Sequence, residues 1–254
     1  MMPRIFSQES LSIDHHFTIT GSDAHHFARV LRVRPGEEVA VATPQGTYLA
    51  VVDSVHAAGP AVSVLVKSPL PSHESQQRVF LIQGLPKGDK LETILQKCTE
   101  VGVAGILVMQ AKRSVVQLDE KKAASRLQRW ERVAQEAASQ SQRDTVPVLE
   151  YAPAAKDVKR LLEKMGSVQV LLLDEDEQRT GIKGALKTIK ESNPANVIAV
   201  AVGPEGGWDD SERVWWQNEI GAICVSIGPR ILRTETAGVV AATAVLYEYG
   251  QLGG

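Results

Sequence analysis

The sequence has little cysteine, no long apolar run and no strong charge of either sign. Only two of its 254 residues are cysteines, Cys98 and Cys224, whereas small secreted domains held by disulfides need more. Residues 197–202 form the longest aliphatic run, much shorter than the roughly 20 residues of a membrane-spanning helix. The N-terminus also lacks the apolar stretch of a secretory signal. We therefore expect a cytoplasmic protein with free thiols.

Several common catalytic patterns are missing as well. The second half of the chain contains no histidine, and no C-x-x-C, H-E-x-x-H or G-x-S-x-G pattern occurs anywhere. Metal-assisted hydrolysis and histidine-dependent acyl transfer are therefore disfavoured, and no metal is predicted. The adjacent His25 and His26 are a weak candidate for metal ligands, and one buried and one exposed histidine on a short helix is the favoured interpretation. For the adjacent Trp215 and Trp216, the favoured interpretation is that one packs in the core and the other lies at an interface, and a platform for stacking bases is less favoured.

What is present is an ordinary globular composition in two differently patterned parts. Hydrophobic residues make up 43% and charged residues 23%, with a net charge of −2 that gives no global nucleic-acid signature. Residues 22–32 predict a helix, and residues 37–66 predict short strands with turns at 44–46 and 58–60. This predicts a small β domain over residues 1–70, followed by a polar linker with proline over residues 71–77.

The remaining residues, 78–254, alternate strand and helix patterns. The first predicted strand covers residues 79–82. The first predicted helix follows Asp89 as N-cap and stops at Gly102. A long helix over residues 119–142 is the clearest later element. Near-continuous apolar strands separated by helices are typical of an α/β domain, with a parallel sheet covered on both faces.

Parallel sheets bind ligands at the carboxyl ends of their strands, which directs attention to three segments, residues 171–175, 203–208 and 227–237. The second, Gly-Pro-Glu-Gly-Gly, is neither a dinucleotide fingerprint nor a phosphate-binding P-loop. Its Glu205 would repel a pyrophosphate but suits a neutral or cationic ligand. The alternative is a plain turn with Glu205 in solvent.

The third segment carries two arginines directly before a predicted helix that begins at Thr234 or Thr236. Cations oppose the dipole at a helix N-terminus, so Arg230 and Arg233 indicate that an anion is expected there. The alternative is that Thr234 caps the helix and both arginines point into solvent. Two such special loops at one sheet edge favour a binding site.

Six stretches in the same order resemble one family, the bacterial 16S ribosomal RNA uridine-N3 methyltransferases of the SPOUT class. These are PRIF (3–6), HHFARVLRVRPGE (25–37), LPKGDKLETILQKCTEVGV (85–103), RWERVAQEAASQSQR (129–143), GPEGGW (203–208) and IGPRILRTETAG (227–238). The last two are the most specific. One departure is visible, because GILVMQAKRS lacks the proline that the family pattern has near the end of that strand.

The resemblance implies a fold, a cofactor and partners. It implies an α/β SPOUT-type parallel sheet with a trefoil knot, preceded by a small PUA-like β-barrel domain that helps to hold RNA. The implied methyl donor is S-adenosyl-L-methionine, and the implied partners are 16S ribosomal RNA or the small ribosomal subunit. It also implies a homodimer in which the partner subunit completes the RNA site.

With this resemblance, specific residues acquire expected roles. Arg233 is the expected catalytic residue, stabilising the deprotonated uracil or an adjacent phosphate. The expected cofactor-binding residues are Leu172, Leu173, Gly203, Pro204, Glu205, Gly206, Ile227, Gly228, Ile231, Leu232 and Thr236. The expected RNA-binding residues are Arg4, Arg29, Arg32, Arg34, Lys87 and Arg113, for which a solvated arginine surface is the alternative.

Two other functions stay open at this point. One is an RNA-binding ribosome-assembly factor whose cofactor pocket is vestigial, which calorimetry with S-adenosyl-L-methionine would separate from an enzyme. The other is a methyltransferase of the same class that acts on another RNA, such as transfer RNA. The sequence leaves the group that accepts the uridine proton unassigned.

Overall fold

The computed structural model describes residues 2–56, 61–192 and 195–253. The chain divides into two compact units. The first comprises residues 1–74 together with residues 138–146, and the second comprises residues 75–137 and 147–254. The first unit therefore includes a segment from the middle of the chain, and this discontinuity was not predicted from the sequence.

The first unit is built on a five-stranded sheet with the order β1-β3-β4-β5-β2. Its strands are β1 (Arg4–Phe6), β2 (His16–Ile19), β3 (Glu38–Thr43), β4 (Gly46–His56) and β5 (Ala61–Pro69). β1 pairs with β3 in parallel and the other pairs are antiparallel. Helix α1 (Gly21–His25) runs directly into one π-helical segment (His26–Leu31), and Phe27 of that segment is buried in the core.

Most secondary-structure predictions for this unit are confirmed, and one expectation, for its two adjacent histidines, is wrong. The strands and the turn at residues 44–46 are present, and the helix occurs in the expected region as a short α-helix followed by the π segment. The predicted turn at residues 58–60 lies outside the described residues. His25 and His26 are both exposed, because the buried positions of this segment are Ala24 and Phe27, so the expectation of one buried histidine is wrong.

A buried carboxylate ties residues 138–146 to the rest of the first unit. Asp144 accepts hydrogen bonds from Arg4 Nη1 at 2.6 Å and from Thr47 Oγ1 at 2.7 Å. Its second oxygen accepts from Ser72 Oγ at 3.0 Å and from the His73 amide at 2.7 Å. Ser72 and His73 therefore pack within this unit, although they fall in the segment predicted to be a linker.

The same network corrects the expectation for Arg4. Its side chain is buried, only 3% exposed, and its Nη1 also donates to the carbonyl of Arg143. A buried guanidinium with these partners is engaged within the fold and is unavailable to an RNA phosphate. The physical reason is the return of residues 138–146, which brings Asp144 beside β1.

The second unit is built on a six-stranded, all-parallel sheet with the order β11-β9-β10-β6-β7-β8. Its strands are β6 (Arg78–Gly84), β7 (Gly105–Met109), β8 (Val148–Ala152), β9 (Val168–Leu173), β10 (Val197–Val202) and β11 (Ile223–Val225). Its helices are α2 (Lys90–Val101), α3 (Glu120–Gln140, whose last residues belong to the first unit), α4 (Ala155–Lys164), α5 (Ile182–Ser192), α6 (Asp210–Ile220) and α7 (Thr234–Glu248). The predicted alternation of strand and helix is confirmed.

Helices cover both faces of this sheet. Leu81 packs in one core cluster with residues of α2, α5 and α7, and its neighbour Ile82 packs in a second cluster with residues of α4 and α6. Successive side chains of a strand point to opposite faces, which explains why β6 and β10 are apolar at almost every position. Among the described residues, no helix combines the length and apolarity that crossing a bilayer requires.

Local signals bound the helices that flank the site, although the Asp89 side chain makes no capping hydrogen bond at the start of α2. α2 follows Asp89 and stops at Gly102, whose φ of 111° is in the left-handed region that favours glycine. α6 begins at a capping box in which Asp209 accepts from the Ser211 amide and Glu212 accepts from the Asp209 amide. This capping fixes where the segment after β10 turns into α6.

Candidate functional site

A cavity of about 840 Å³ lies at the carboxyl ends of β9, β10 and β11. These strands are neighbours in the sheet, with Leu173 paired to Val225 and Leu172 paired to Ala201, so the segments that follow them converge. Its walls come from residues 173–181, 202–207 and 225–237, with Lys90 added from α2. The three segments selected from the sequence therefore meet at one place.

Most of the residues expected to bind the cofactor line this cavity, and three do not. Those that line it are Leu173, Gly203, Pro204, Glu205, Ile227, Gly228, Ile231 and Leu232, and the expected catalytic Arg233 lines it too. Leu172 is fully buried in the core cluster beneath α4 and α6, because it points to the opposite face from Leu173. Gly206 lies against Arg113, and Thr236 is exposed on α7.

Two buried polar residues fasten the loop after β10 to its neighbours. Thr234 Oγ1 donates to the carbonyl of Gly203 at 2.7 Å and accepts from Gln83 Nε2 at 2.8 Å. Thr234 thus joins α7 to this loop. Arg233 is the N-cap residue of α7, so the interpretation of Thr234 as the cap is wrong, whereas Arg230 and Arg233 are both exposed, as the same alternative expected. Gln83 was not predicted as a site residue, because its only signal in the sequence is a polar residue inside an apolar strand.

Two glycines lie where the loop after β10 passes close to its neighbours. A Cβ atom on Gly84 would lie 2.6 Å from Pro204 Cδ and 2.7 Å from its nitrogen. A Cβ on Gly207 would lie 2.5 Å from a carboxylate oxygen of Glu175, and Gly207 has a φ of 68°. Gly84 therefore lets β6 pass close to the loop, and Gly207 adopts a left-handed conformation that favours glycine and leaves room for the Glu175 side chain.

Glu205 is held in place within the wall. Its carboxylate lies 2.9 Å from Lys90 Nζ and accepts from the Lys87 amide at 3.2 Å. Burial opposes its ionisation, but the hydrogen bonds from Lys90 and the Lys87 amide outweigh burial and lower the pKa of Glu205. Glu205 lies in a turn and is exposed, as the alternative expected, but its carboxylate is paired with Lys90, which offsets much of the negative charge that it was expected to offer a ligand.

Other acids supply negative charge at the cavity. Asp174, Glu175 and Glu177 line it from the segment after β9. Asp174 lies 3.1 Å from Arg213 Nε, and Glu177 accepts from the amides of Arg179 and Thr180. The segment with Asp174 and Glu175 was predicted to lie at the site, but no role was predicted for these carboxylates.

The expected RNA-binding residues are distributed over both units. Arg29, Arg32 and Arg34 are exposed in the first unit, and Lys87 is exposed in the second. Arg113 Nη1 donates to the Gly206 carbonyl at 3.0 Å, so this side chain contacts the loop after β10. Their contact with RNA stays a prediction.

Comparison with known proteins identifies the family. Residues 73–246 match the profile of an RNA methyltransferase domain, and residues 19–55 match that of an RNA methyltransferase PUA domain. The chain belongs to this RNA methyltransferase family. Among its relatives is ribosomal RNA small subunit methyltransferase E of Bacillus subtilis, 36% identical over 91% of this chain and 90% of the relative. The enzyme of the same name from Mycobacterium tuberculosis is 32% identical over 89% and 84%.

A solved relative extends the comparison to the whole fold. The crystal structure of a ribosomal RNA small subunit methyltransferase E from Neisseria gonorrhoeae, bound to S-adenosyl methionine, is 30% identical, with a TM-score of 0.81. The match covers 97% of this chain and 98% of that one. This methyltransferase therefore combines a PUA-like β unit with a SPOUT-type parallel sheet, as expected. The trefoil knot stays a prediction.

Proposed function

We propose that this chain is an S-adenosyl-L-methionine-dependent methyltransferase that methylates N3 of a uridine in 16S ribosomal RNA. The observation that carries the proposal is the cavity at the ends of β9, β10 and β11, which the family's two most specific motifs build together. The relatives' names point to small-subunit ribosomal RNA as the substrate. An enzyme that acts on bacterial ribosomal RNA works in the cytoplasm.

The cavity suits this cofactor in size and charge. Its volume of about 840 Å³ lies within the roughly 300–1,000 Å³ typical of small-molecule sites. Backbone and apolar groups of Leu173, Gly203, Ile227, Gly228 and Leu232 would hold the uncharged adenosine. Glu175 and Glu177 also line the cavity, and their negative charge suits a sulfonium cation.

Methyl transfer on this site depends chiefly on positioning. When bound, the cofactor would supply an electrophilic methyl group, whose bond to the sulfonium sulfur breaks as its bond to uridine N3 forms, so a neutral thioether leaves and N3 gives up its proton. Holding two reactants in line is worth about 7–11 kcal/mol in favourable cases, so little acid-base machinery is required. Arg233 lies at the cavity with its side chain 82% exposed, where it can approach a deprotonated uracil or a phosphate.

Two measurements test the proposal together. Calorimetry should show S-adenosyl-L-methionine binding, and mass spectrometry of ribosomal RNA should show one N3-methylated uridine that disappears when the gene is deleted. RNA binding in the absence of cofactor binding would favour the assembly-factor alternative. Loss of a methyl group from transfer RNA, with 16S ribosomal RNA unchanged, would identify the other substrate.

The exposed arginines of the first unit support an RNA-binding surface. Arg29, Arg32 and Arg34 lie on and just after the π segment, and Arg32 has a left-handed φ of 55°. Charge reversal at Arg32 and Arg34 should weaken RNA binding and reduce its salt dependence by about one unit of slope for each phosphate that the arginines neutralise. An unchanged affinity and slope would reject this surface.

A homodimer in which the partner subunit completes the RNA site belongs to the same proposal. Val240 and Tyr247 are spaced by two helical turns on α7 and are 40% and 68% exposed. Two exposed apolar residues on the same side of a largely buried helix support contact with a second copy. Light scattering should show a dimer, and Tyr247→Glu should shift it towards the monomer.

A further inference from the structure

Four charged side chains of alternating sign connect the loop after β10 with the beginning of α7. Glu205 lies 2.9 Å from Lys90 Nζ, and the same Nζ lies 3.6 Å from Glu235 Oε2. Glu235 in turn lies 4.0 Å from Arg233 Nη1. The series therefore runs from the cavity wall to the expected catalytic arginine.

Lys90 occupies the central position of this series. It is the first residue of α2, and its side chain is 28% exposed, with Glu205 at 23% and Glu235 at 21%. Its ammonium group lies within hydrogen-bond distance of Glu205 and within ion-pair distance of Glu235, whose Oε2 is buried without a hydrogen-bond partner among the described residues. Hydrogen bonding to Glu205 and the nearby charge of Glu235 raise the pKa of Lys90, so the group stays charged at neutral pH.

A second lysine of the same helix provides a contrast. Lys97 pairs with Glu100 at 2.9 Å, but both residues belong to α2, and Lys97 is 46% exposed. Such a pair within one helix is worth a few tenths of a kcal/mol, and among the described residues it joins α2 to no other element. Lys90 instead joins three elements that are far apart in sequence.

We propose that Lys90 is a positioning residue for methyl transfer, which holds the cofactor loop through Glu205 and the Arg233 end of α7 through Glu235. The inference rests on the proposed function. One ammonium group thus fixes the distance between the bound cofactor and Arg233, the residue expected to act on the uridine. Loss of Lys90 therefore affects both cofactor binding and turnover, while loss of either carboxylate affects mainly one of them.

The experiment compares Lys90→Met, Glu205→Gln and Glu235→Gln, with Lys97→Met as the matched control. Cofactor Kd is measured by calorimetry, and kcat is measured with cofactor and RNA saturating. Glu205→Gln should raise Kd about fivefold, and Glu235→Gln should lower kcat about fivefold, the scale of one partly buried ion pair. Lys90→Met should do both, Lys90→Arg should restore at least half of each effect, and Lys97→Met should change neither.

Double variants distinguish a positioning role of Lys90 from a general loss of stability. If Lys90 acts through the two carboxylates, Lys90→Met adds nothing to Kd in the Glu205→Gln background and nothing to kcat in the Glu235→Gln background. Additive effects, or a Lys90→Met protein with wild-type kcat and Kd, would overturn the inference. If Lys90→Met does not fold, wild-type Kd and kcat in the two glutamine variants overturn it equally. A wild-type protein that neither binds cofactor nor methylates RNA would instead refute the proposed function.

Discussion

Around the cavity, single charged residues act by fixing loops as well as by facing a ligand. Glu212 is buried and accepts from the amides of Lys112 and Asp209. Asp174 and Asp176 lie about 3 Å from the Arg213 guanidinium. A buried charge is tolerated only when it is paired and hydrogen-bonded, so the buried Glu212 and the largely buried Asp174 stabilise the backbone of the site, while Asp176 is 72% exposed and adds little.

Arg233 provides the sharpest prediction at this scale. Arg233→Ala should lower methyl transfer at saturating cofactor by about 10-fold to 100-fold, because it removes a donor that acts on developing negative charge. Cofactor Kd should stay within about threefold, because the guanidinium is exposed at the mouth of the cavity. Single-turnover kinetics and calorimetry measure the two quantities. Equal turnover by variant and parent would reject the role of Arg233.

Asp144 gives a prediction about stability and pH. Burial raises the pKa of its carboxyl, but the hydrogen bonds that it accepts, first among them that from Thr47, outweigh burial and lower the pKa below its ordinary value. The stabilisation by its charge is therefore complete above about pH 4 and is lost as the pH falls through the lower native pKa. Urea unfolding of the first unit should show this loss.

The corresponding variant is Asp144→Asn. Removing one partner of a buried ion pair should lower the free energy of unfolding by about 3 kcal/mol at pH 7 and flatten the acid dependence. Asp53→Asn is the control, because Asp53 is 56% exposed beside His16. Equal unfolding midpoints for the two variants would contradict the role of Asp144.

At the scale of elements, the close packing of β6 against the loop after β10 depends on Gly84. A methyl group at this position would overlap the ring and nitrogen of Pro204, so the loop must shift. Gly84→Ala should cost about 1–3 kcal/mol of stability and weaken cofactor binding about tenfold. Thermal unfolding and calorimetry measure the two effects.

Gly184→Ala is the matched control for this prediction. Gly184 lies in α5 with open space around the position of a Cβ atom. The substitution should stabilise the protein by about 0.5–1 kcal/mol through helix propensity and leave cofactor affinity unchanged. If Gly84→Ala bound the cofactor as tightly as Gly184→Ala, the close approach would not matter to the site.

At the scale of the whole molecule, the first unit is discontinuous in sequence. A fragment of residues 1–74 leaves Arg4 without Asp144 and Glu74 without Arg143. Losing this network costs about 3–5 kcal/mol, a large part of the stability of a small domain. The fragment should show no cooperative thermal transition by circular dichroism. A version with residues 138–146 joined through a Gly-Ser linker should show one, and identical melting of both would contradict the assignment.

The elements of the second unit were largely predictable because their signals are local. Asp89 and Gly102 bound α2 as expected, and the apolar runs of β9 and β10 appear at the predicted positions. The partners of polar residues were not predictable. Lys90 and Gln83 are close to the loop after β10 in space but more than a hundred residues away in sequence.

The sequence by itself determined the order of the elements, the parallel sheet and the segments that end at its carboxyl edge, because periodicity and capping act over a few residues. Only the tertiary structure decided that Leu173 and not Leu172 faces the cavity, that Arg4 is buried and that Lys90 joins two carboxylates. These facts depend on strand order and on the return of residues 138–146, and such long-range pairings leave no local pattern in the sequence.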